Sequence, residues 1–64
     1  MTLRVDLAQI AEWVAPGSRV LDLGCGDGSL LAHLRDARSC RGYGVEIDDD
    51  HVARCVSHAI NVVQ

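Results

Sequence analysis

Residues 20–28 read V-L-D-L-G-C-G-D-G. An apolar run ends, and glycine then takes three of five positions, Gly24, Gly26 and Gly28, separated by Cys25 and Asp27. Glycine loses more conformational entropy on ordering than any other residue. A cluster of them marks a place where the backbone takes a positive φ or lets something approach without meeting a Cβ. Ahead of it, residues 19–23, R-V-L-D-L, have the length and apolar character of a short strand covered on both faces. Behind it, S-L-L-A-H-L-R-D-A (29–37) returns to helical spacing, with Leu30, Leu31 and Leu34 on one side. Strand, glycine loop and helix in that order place backbone N–H groups and a helix N-terminus at the carboxyl end of a sheet, where open α/β sheets bind ligands.

The flanking sequence extends the pattern. Residues 5–14 predict a helix, on which Leu3, Leu7, Ile10 and Val14 stack along one face. Asp6 near its start suits the helix dipole, and Pro16-Gly17-Ser18 ends it. After a polar turn, R-S-C-R, residues 42–47 predict a second strand in which Tyr43, Val45 and Ile47 alternate with Gly42, Gly44 and Glu46. The acidic run D-D-D offers Asp49 or Asp50 as the cap of a helix over 50–58, with Val52, Cys55, Val56 and Ala59 facing inward. Residues 60–64 read as the start of a third strand. The expected fold class is therefore α/β: a helix, then β-α-β-α-β with parallel strands joined by right-handed crossovers, in one domain over residues 1–64. A helix-covered parallel sheet normally continues past three strands. The chain thus reads as the N-terminal half of a larger, here incomplete, domain, with its first strand an open edge prone to self-association.

Composition narrows the function. The chain has 64 residues, is 48% hydrophobic and 23% charged, and carries a net charge of −3. This charge gives no footprint for nucleic acid or an anionic membrane. No apolar run approaches the ~20 residues that span a bilayer, and the opening M-T-L-R-V-D-L lacks a signal peptide's apolar stretch. A cytoplasmic location is expected. Cys25, Cys40 and Cys55 include no C-x-x-C pair, which argues against a disulfide framework and a zinc site, so they read as free thiols and no metal is expected. His33, His51 and His58 fall in predicted helices without H-E-x-x-H spacing and read as solvated or packed side chains. No residue stands out as a general base, and no catalytic residue is assigned.

Two ligand classes compete for the glycine loop. The dinucleotide fingerprint is G-x-G-x-x-G, but here Ser29 stands in the third glycine's place and the glycine comes one residue early, at Gly28. The pattern from Asp22 to Gly28, D-x-G-x-G-x-G, instead resembles motif I of the class I S-adenosylmethionine-dependent methyltransferases. That resemblance implies a Rossmann-like fold with S-adenosylmethionine lying over Gly24, Cys25, Gly26, Asp27 and Gly28, and with Asp22 near its amino-acid portion. Glu46 follows Gly24 by 22 residues at the predicted end of the second strand. A carboxylate there can accept hydrogen bonds from both ribose hydroxyls; the resemblance gives Glu46 that role and places Ile47 near the adenine. The longer strings E-W-V-A-P-G-S, R-V-L-D-L-G-C-G-D-G-S-L-L-A-H-L and R-G-Y-G-V-E-I-D are similar to the start of the MetW family of methionine biosynthesis proteins. Membership implies a methyltransferase-like protein acting beside a homoserine O-acyltransferase. A non-catalytic partner protein, a structural α/β module with a degenerate cofactor site, and an NAD-type domain remain as alternatives.

Overall fold

The computed structural model describes residues 4–64. Its elements follow the order α1 (Val5–Glu12), β1 (Arg19–Leu23), α2 (Ser29–Arg38), β2 (Arg41–Val45), α3 (Asp49–Ser57) and β3 (Asn61–Val63). The strands form one parallel sheet in the order β1-β2-β3. Leu21 stands opposite Tyr43, and Leu23, Val45 and Val63 lie in one row. The expected α/β alternation is therefore present. Strand β1 pairs only with β2 among the described residues.

The element ends have local causes. Helix α1 stops at Glu12 rather than residue 14 because Trp13 and Val14 donate to Ile10 and Ala11, one residue short of α-helical spacing, and Pro16 follows. Of the stripe assigned to this helix, Leu3 lies outside the described residues, and Ile10 is exposed; Ala11 is the buried residue. Helix α2 ends where Ser39 turns left-handed at φ +56°. Its last residue, Arg38, ties back to the α1–β1 turn, accepting from Gly17 N–H at 2.8 Å and donating from Nε to the Val14 carbonyl at 2.9 Å. The cap of α3 is Asp48, not Asp49 or Asp50: Asp48 Oδ1 accepts from His51 N–H at 2.9 Å. Strand β2 runs one residue earlier than expected and stops at Val45, in register with Val63 at the end of β3. Ile60 belongs to the turn before β3, where its N–H closes onto the Cys55 carbonyl at 2.9 Å.

The core lies between the sheet and the helices. Leu31, Ala32, Cys25, Cys55 and Ile60 pack together against Val20 and Val62; Ala11, Leu34 and Cys40 form a second cluster beside Val14, Val20 and Leu30. Both clusters use the face of the sheet that carries Val20, Gly42, Gly44 and Val62. The opposite face carries Leu21, Leu23, Tyr43 and Val63, each at least half exposed. Among the described residues, then, β1 is covered on one face rather than on both. Two successive right-handed crossovers that advance in the same direction deposit their helices on the same side of a sheet. A second correction concerns α3. Cys55 is fully buried and Val52 half-buried, but Val56 is 64% exposed and Ala59 sits in a left-handed turn past the helix end. A short helix over a three-residue strand covers it with a narrow stripe only.

Close packing depends on the two glycines of β2. A Cβ on Gly42 would lie 2.7 Å from Leu31 Cδ2, and one on Gly44 would collide with Cys25. Helix α2 and the glycine loop therefore rest directly on bare backbone.

Candidate functional site

The site is built at the carboxyl end of β1. Gly24, Gly26 and Gly28 take φ values of +73°, +60° and +83°, so the chain reverses from strand to helix through left-handed turns. The glycines then divide in role. A Cβ on Gly24 or Gly26 would meet nothing within 4 Å, so these two leave an open backbone surface. Gly28 faces inward instead, where a Cβ would come 3.0 Å from Cys55 Sγ and 3.1 Å from Ile60 Cγ1. It lets α2 start against α3 and β3. The loop is anchored to the neighbouring strand, since Gly24 and Cys25 both donate their N–H to the Val45 carbonyl, at 2.7 and 3.1 Å.

Glu46 arrives from β2 at the same end of the sheet. Its carboxylate accepts from Gly26 N–H at 2.8 Å through Oε1 and from Asp48 N–H at 3.0 Å through Oε2, and its side chain is 11% exposed. These two hydrogen bonds hold its carboxyl below the usual glutamate value. Asp27 is also lowered, because its Oδ1 accepts from Ser29 N–H at 3.0 Å. Asp22 goes the other way, raised by burial. The Cys25 thiol is pushed up to about 12 by burial and by Cys55, whose Sγ lies 3.8 Å away. A thiol so protonated is a packing group, not a nucleophile.

A cleft of about 570 Å³ opens over the loop. Asp22, Gly24, Cys25, Gly26 and Asp27 line it, while Gly28, Glu46 and Ile47 do not. Gly28 belongs to the core. Glu46 is tied to the lining residue Gly26 through its amide, and Ile47, next in sequence, is 83% exposed. The cleft has further walls that sequence reasoning did not assign to it: Arg4, Leu7 and Ile10 from α1, Ser29 and Leu30 from α2, and His51 from α3. Leu7 and Ile10 were legible only as a helical stripe, which reads as core. The mark of His51 was its place after three aspartates, and its Nδ1 indeed lies 3.8 Å from Asp48 Oδ1 and 4.0 Å from Glu46 Oε1. His33 is not among the lining residues. Among the described residues no group of His, Cys, Asp or Glu side chains is placed to hold a metal ion, and no helix is long and apolar enough to cross a membrane.

The Glu46–Gly26 bond gives this end of the sheet a pH response. A group whose folded value is depressed stabilises the fold above its unfolded value and loses that contribution as pH falls through the folded one. The Gly26 amide resonance is therefore expected to titrate with a midpoint below 4.5, the ordinary value for Glu46. Loop protection from hydrogen exchange should fall over the same range. Asp22, being raised, opposes the effect on global stability, so the amide is the discriminating readout.

Fold and loop together define the chain as an α/β unit of the Rossmann-like S-adenosylmethionine-dependent methyltransferase fold. It superimposes on an S-adenosylmethionine-dependent methyltransferase from Geobacter sulfurreducens, solved with S-adenosyl-L-homocysteine, with a TM-score of 0.79 and 23% identity. On YjhP from Escherichia coli the TM-score is 0.81 at 21% identity. In each case the match covers 97% of this chain and 29% of the other. The chain belongs to the MetW family: the family of methionine biosynthesis protein MetW matches it over residues 4–64. It is 38% identical to the bifunctional methionine biosynthesis protein MetXA/MetW of Rhodopirellula baltica, over 98% of this chain and 11% of that protein. With the sterol 24-C-methyltransferase of Schizosaccharomyces pombe it shares 36% identity over 73% of this chain and 12% of the relative. The chain thus spans about a tenth of the length of these curated relatives.

Proposed function

We propose that residues 1–64 form the cofactor-binding portion of a methyltransferase-like protein of methionine biosynthesis, and that the cofactor is S-adenosylmethionine. The observation that carries this reading is the bond between Glu46 and the Gly26 amide, which sets a carboxylate beside an open glycine backbone. The residues suit such a ligand. Gly24 and Gly26 leave room for a flat nucleoside, Glu46 has lone pairs left for ribose hydroxyls, and exposed Ile47 offers an apolar surface for adenine. Asp22 and Asp27 add negative charge to the cleft wall, which favours a ligand bearing a sulfonium and an ammonium. Bound there, the cofactor would supply an activated methyl group; in-line transfer from a sulfonium can proceed by positioning alone. The neighbour solved with S-adenosyl-L-homocysteine supports the ligand class. Three free, buried thiols fit a reducing, cytoplasmic setting.

We further infer that the protein works beside a homoserine O-acyltransferase. The relative that joins MetXA and MetW in one chain supports a pairing of this family with a second methionine biosynthesis protein. Calorimetric titration of the full-length protein tests the cofactor. Binding of S-adenosylmethionine and of S-adenosylhomocysteine is expected, with NAD binding far more weakly. Tighter binding of NAD than of either would replace this reading with the dinucleotide one.

A further inference from the structure

Two sulfurs meet beneath the glycine loop. Cys25 Sγ and Cys55 Sγ lie 3.8 Å apart, inside the core cluster that also holds Leu31, Ala32 and Ile60. Cys25 belongs to the loop itself and Cys55 to α3. The remaining thiol, Cys40, lies in the other core cluster, with Ala11 and Leu34.

The pair also bears on the loop's backbone. The Gly26 carbonyl accepts from the Cys55 S–H at 3.2 Å, and Cys25 Sγ is 3.8 Å from the same oxygen. The N–H of Gly26 is the one that donates to Glu46. One loop residue is thus held between a carboxylate and a sulfur, and the hydrogen on that sulfur helps to set its position. A disulfide needs the two sulfurs to close from 3.8 Å to about 2 Å. Gly24 and Gly26 flank Cys25 with open space where a Cβ would stand, so the loop has room to follow.

We propose that Cys25 and Cys55 form a reversible disulfide, and that this bond is a redox switch for the loop above it. The oxidant is a peroxide. One sulfur attacks a peroxide oxygen, the O–O bond breaks, and the other oxygen leaves as water, giving a sulfenic acid. The second sulfur attacks the first, the S–O bond breaks, the S–S bond forms, and a second water leaves. The two sulfurs together lose two electrons, and both thiol protons end in the waters. Cys25 and Cys55 are 8% and 0% exposed, and burial keeps Cys25 protonated, so the reaction proceeds when the loop parts from α3. In a reducing compartment such pairs are transient and redox-sensing rather than structural. Once bonded, neither sulfur has a hydrogen to give, the Gly26 carbonyl loses its thiol donor, and the loop is tied to α3. Resting on the S-adenosylmethionine reading above, the oxidised protein binds the adenosyl ligand more weakly.

The test treats the full-length protein with hydrogen peroxide, quenches it in acid, digests it with pepsin and weighs the peptides. A Cys25–Cys55 cross-link, lighter by two hydrogens and reversed by dithiothreitol, is expected, with Cys40 still a thiol. No link, or pairing shared with Cys40, would overturn the proposal. Titration with S-adenosylhomocysteine reads the switch: affinity should fall about fivefold or more on oxidation and return on reduction. Cys55→Ser keeps a donor for Gly26 but cannot pair, so its affinity should be the same before and after peroxide. Cys40→Ser should respond as the unaltered protein does. A cross-link without a change in affinity, or an equal fall in Cys55→Ser, would overturn the switch. If the reduced protein binds no S-adenosylhomocysteine, the adenosyl reading fails by itself; the cross-link still decides the pairing, and a change in Gly26 hydrogen exchange on oxidation still decides the switch.

Discussion

Gly44→Ala is expected to destabilise the fold by about 1–3 kcal/mol or more and to lower its melting temperature by several degrees or more. The added methyl would overlap Cys25 Sγ and come 3.0 Å from Cys25 Cβ and 3.2 Å from Leu31 Cδ1. None of these atoms can retreat. Leu31 is 1% exposed, Cys25 is backed by Cys55, and the Cys25 backbone is bonded to Val45. Overpacking a filled core costs about 1–3 kcal/mol and more when the backbone must move. Gly44 has an ordinary strand conformation, so the penalty is purely steric and is not backbone strain. Gly42→Ala should be damaging by the same route, through Leu31. Leu21→Ala is the control, since that side chain is 66% exposed on the bare face. Melting followed by circular dichroism separates the cases: Gly44→Ala within a degree of wild type would show that α2 does not rest on β2 as described.

Glu46→Ala should have the largest effect on ligand binding. The substitution removes the acceptor for Gly26 N–H and for Asp48 N–H at once, so the loop and the start of α3 each lose an anchor. It also removes the proposed partner of the ribose hydroxyls. Hydrogen bonds to a charged group are the stronger kind, and affinity for S-adenosylhomocysteine is expected to fall about tenfold or more. The ligand-free protein should change too, with faster hydrogen exchange at Gly26. Glu46→Gln separates the two roles. Its amide offers one oxygen where the carboxylate offered two, so it can serve Gly26 or Asp48 but not both. Intermediate exchange and intermediate affinity are expected. Unaltered affinity in Glu46→Ala would remove the carboxylate from the site.

The decisive parts of the fold were legible because they rest on local chemistry. The three glycines demanded a strand-to-helix reversal, and the α/β alternation followed from spacing. The face of β2 was not legible. Tyr43 and Val45 alternate with glycines, and hydrophobic patterning alone would bury the large side chains. The structure buries the glycine face instead, since only bare backbone admits Leu31 and Cys25 so closely. Nor could the acidic run say which aspartate caps α3, because Asp48, Asp49 and Asp50 are equivalent until the exit from β2 is fixed. At the site, spacing singled out the loop and Glu46, and the resemblance to motif I added Asp22. It missed the α1 wall of the cleft, because a helix touches a distant loop only through the tertiary fold; Arg4, Leu7 and Ile10 carry no local sign of it.

All three sulfhydryls are interior, Cys25 and Cys55 beneath the loop and Cys40 at the opposite end of the sheet. An alkylating reagent can reach them only when the surrounding structure parts, so the native chain carries its own reporters of local opening. Their rates of alkylation would show the loop and the α1–α2 base breathing separately or as one unit, and a ligand seated over the loop would slow the first pair while leaving Cys40 to keep the time of the rest.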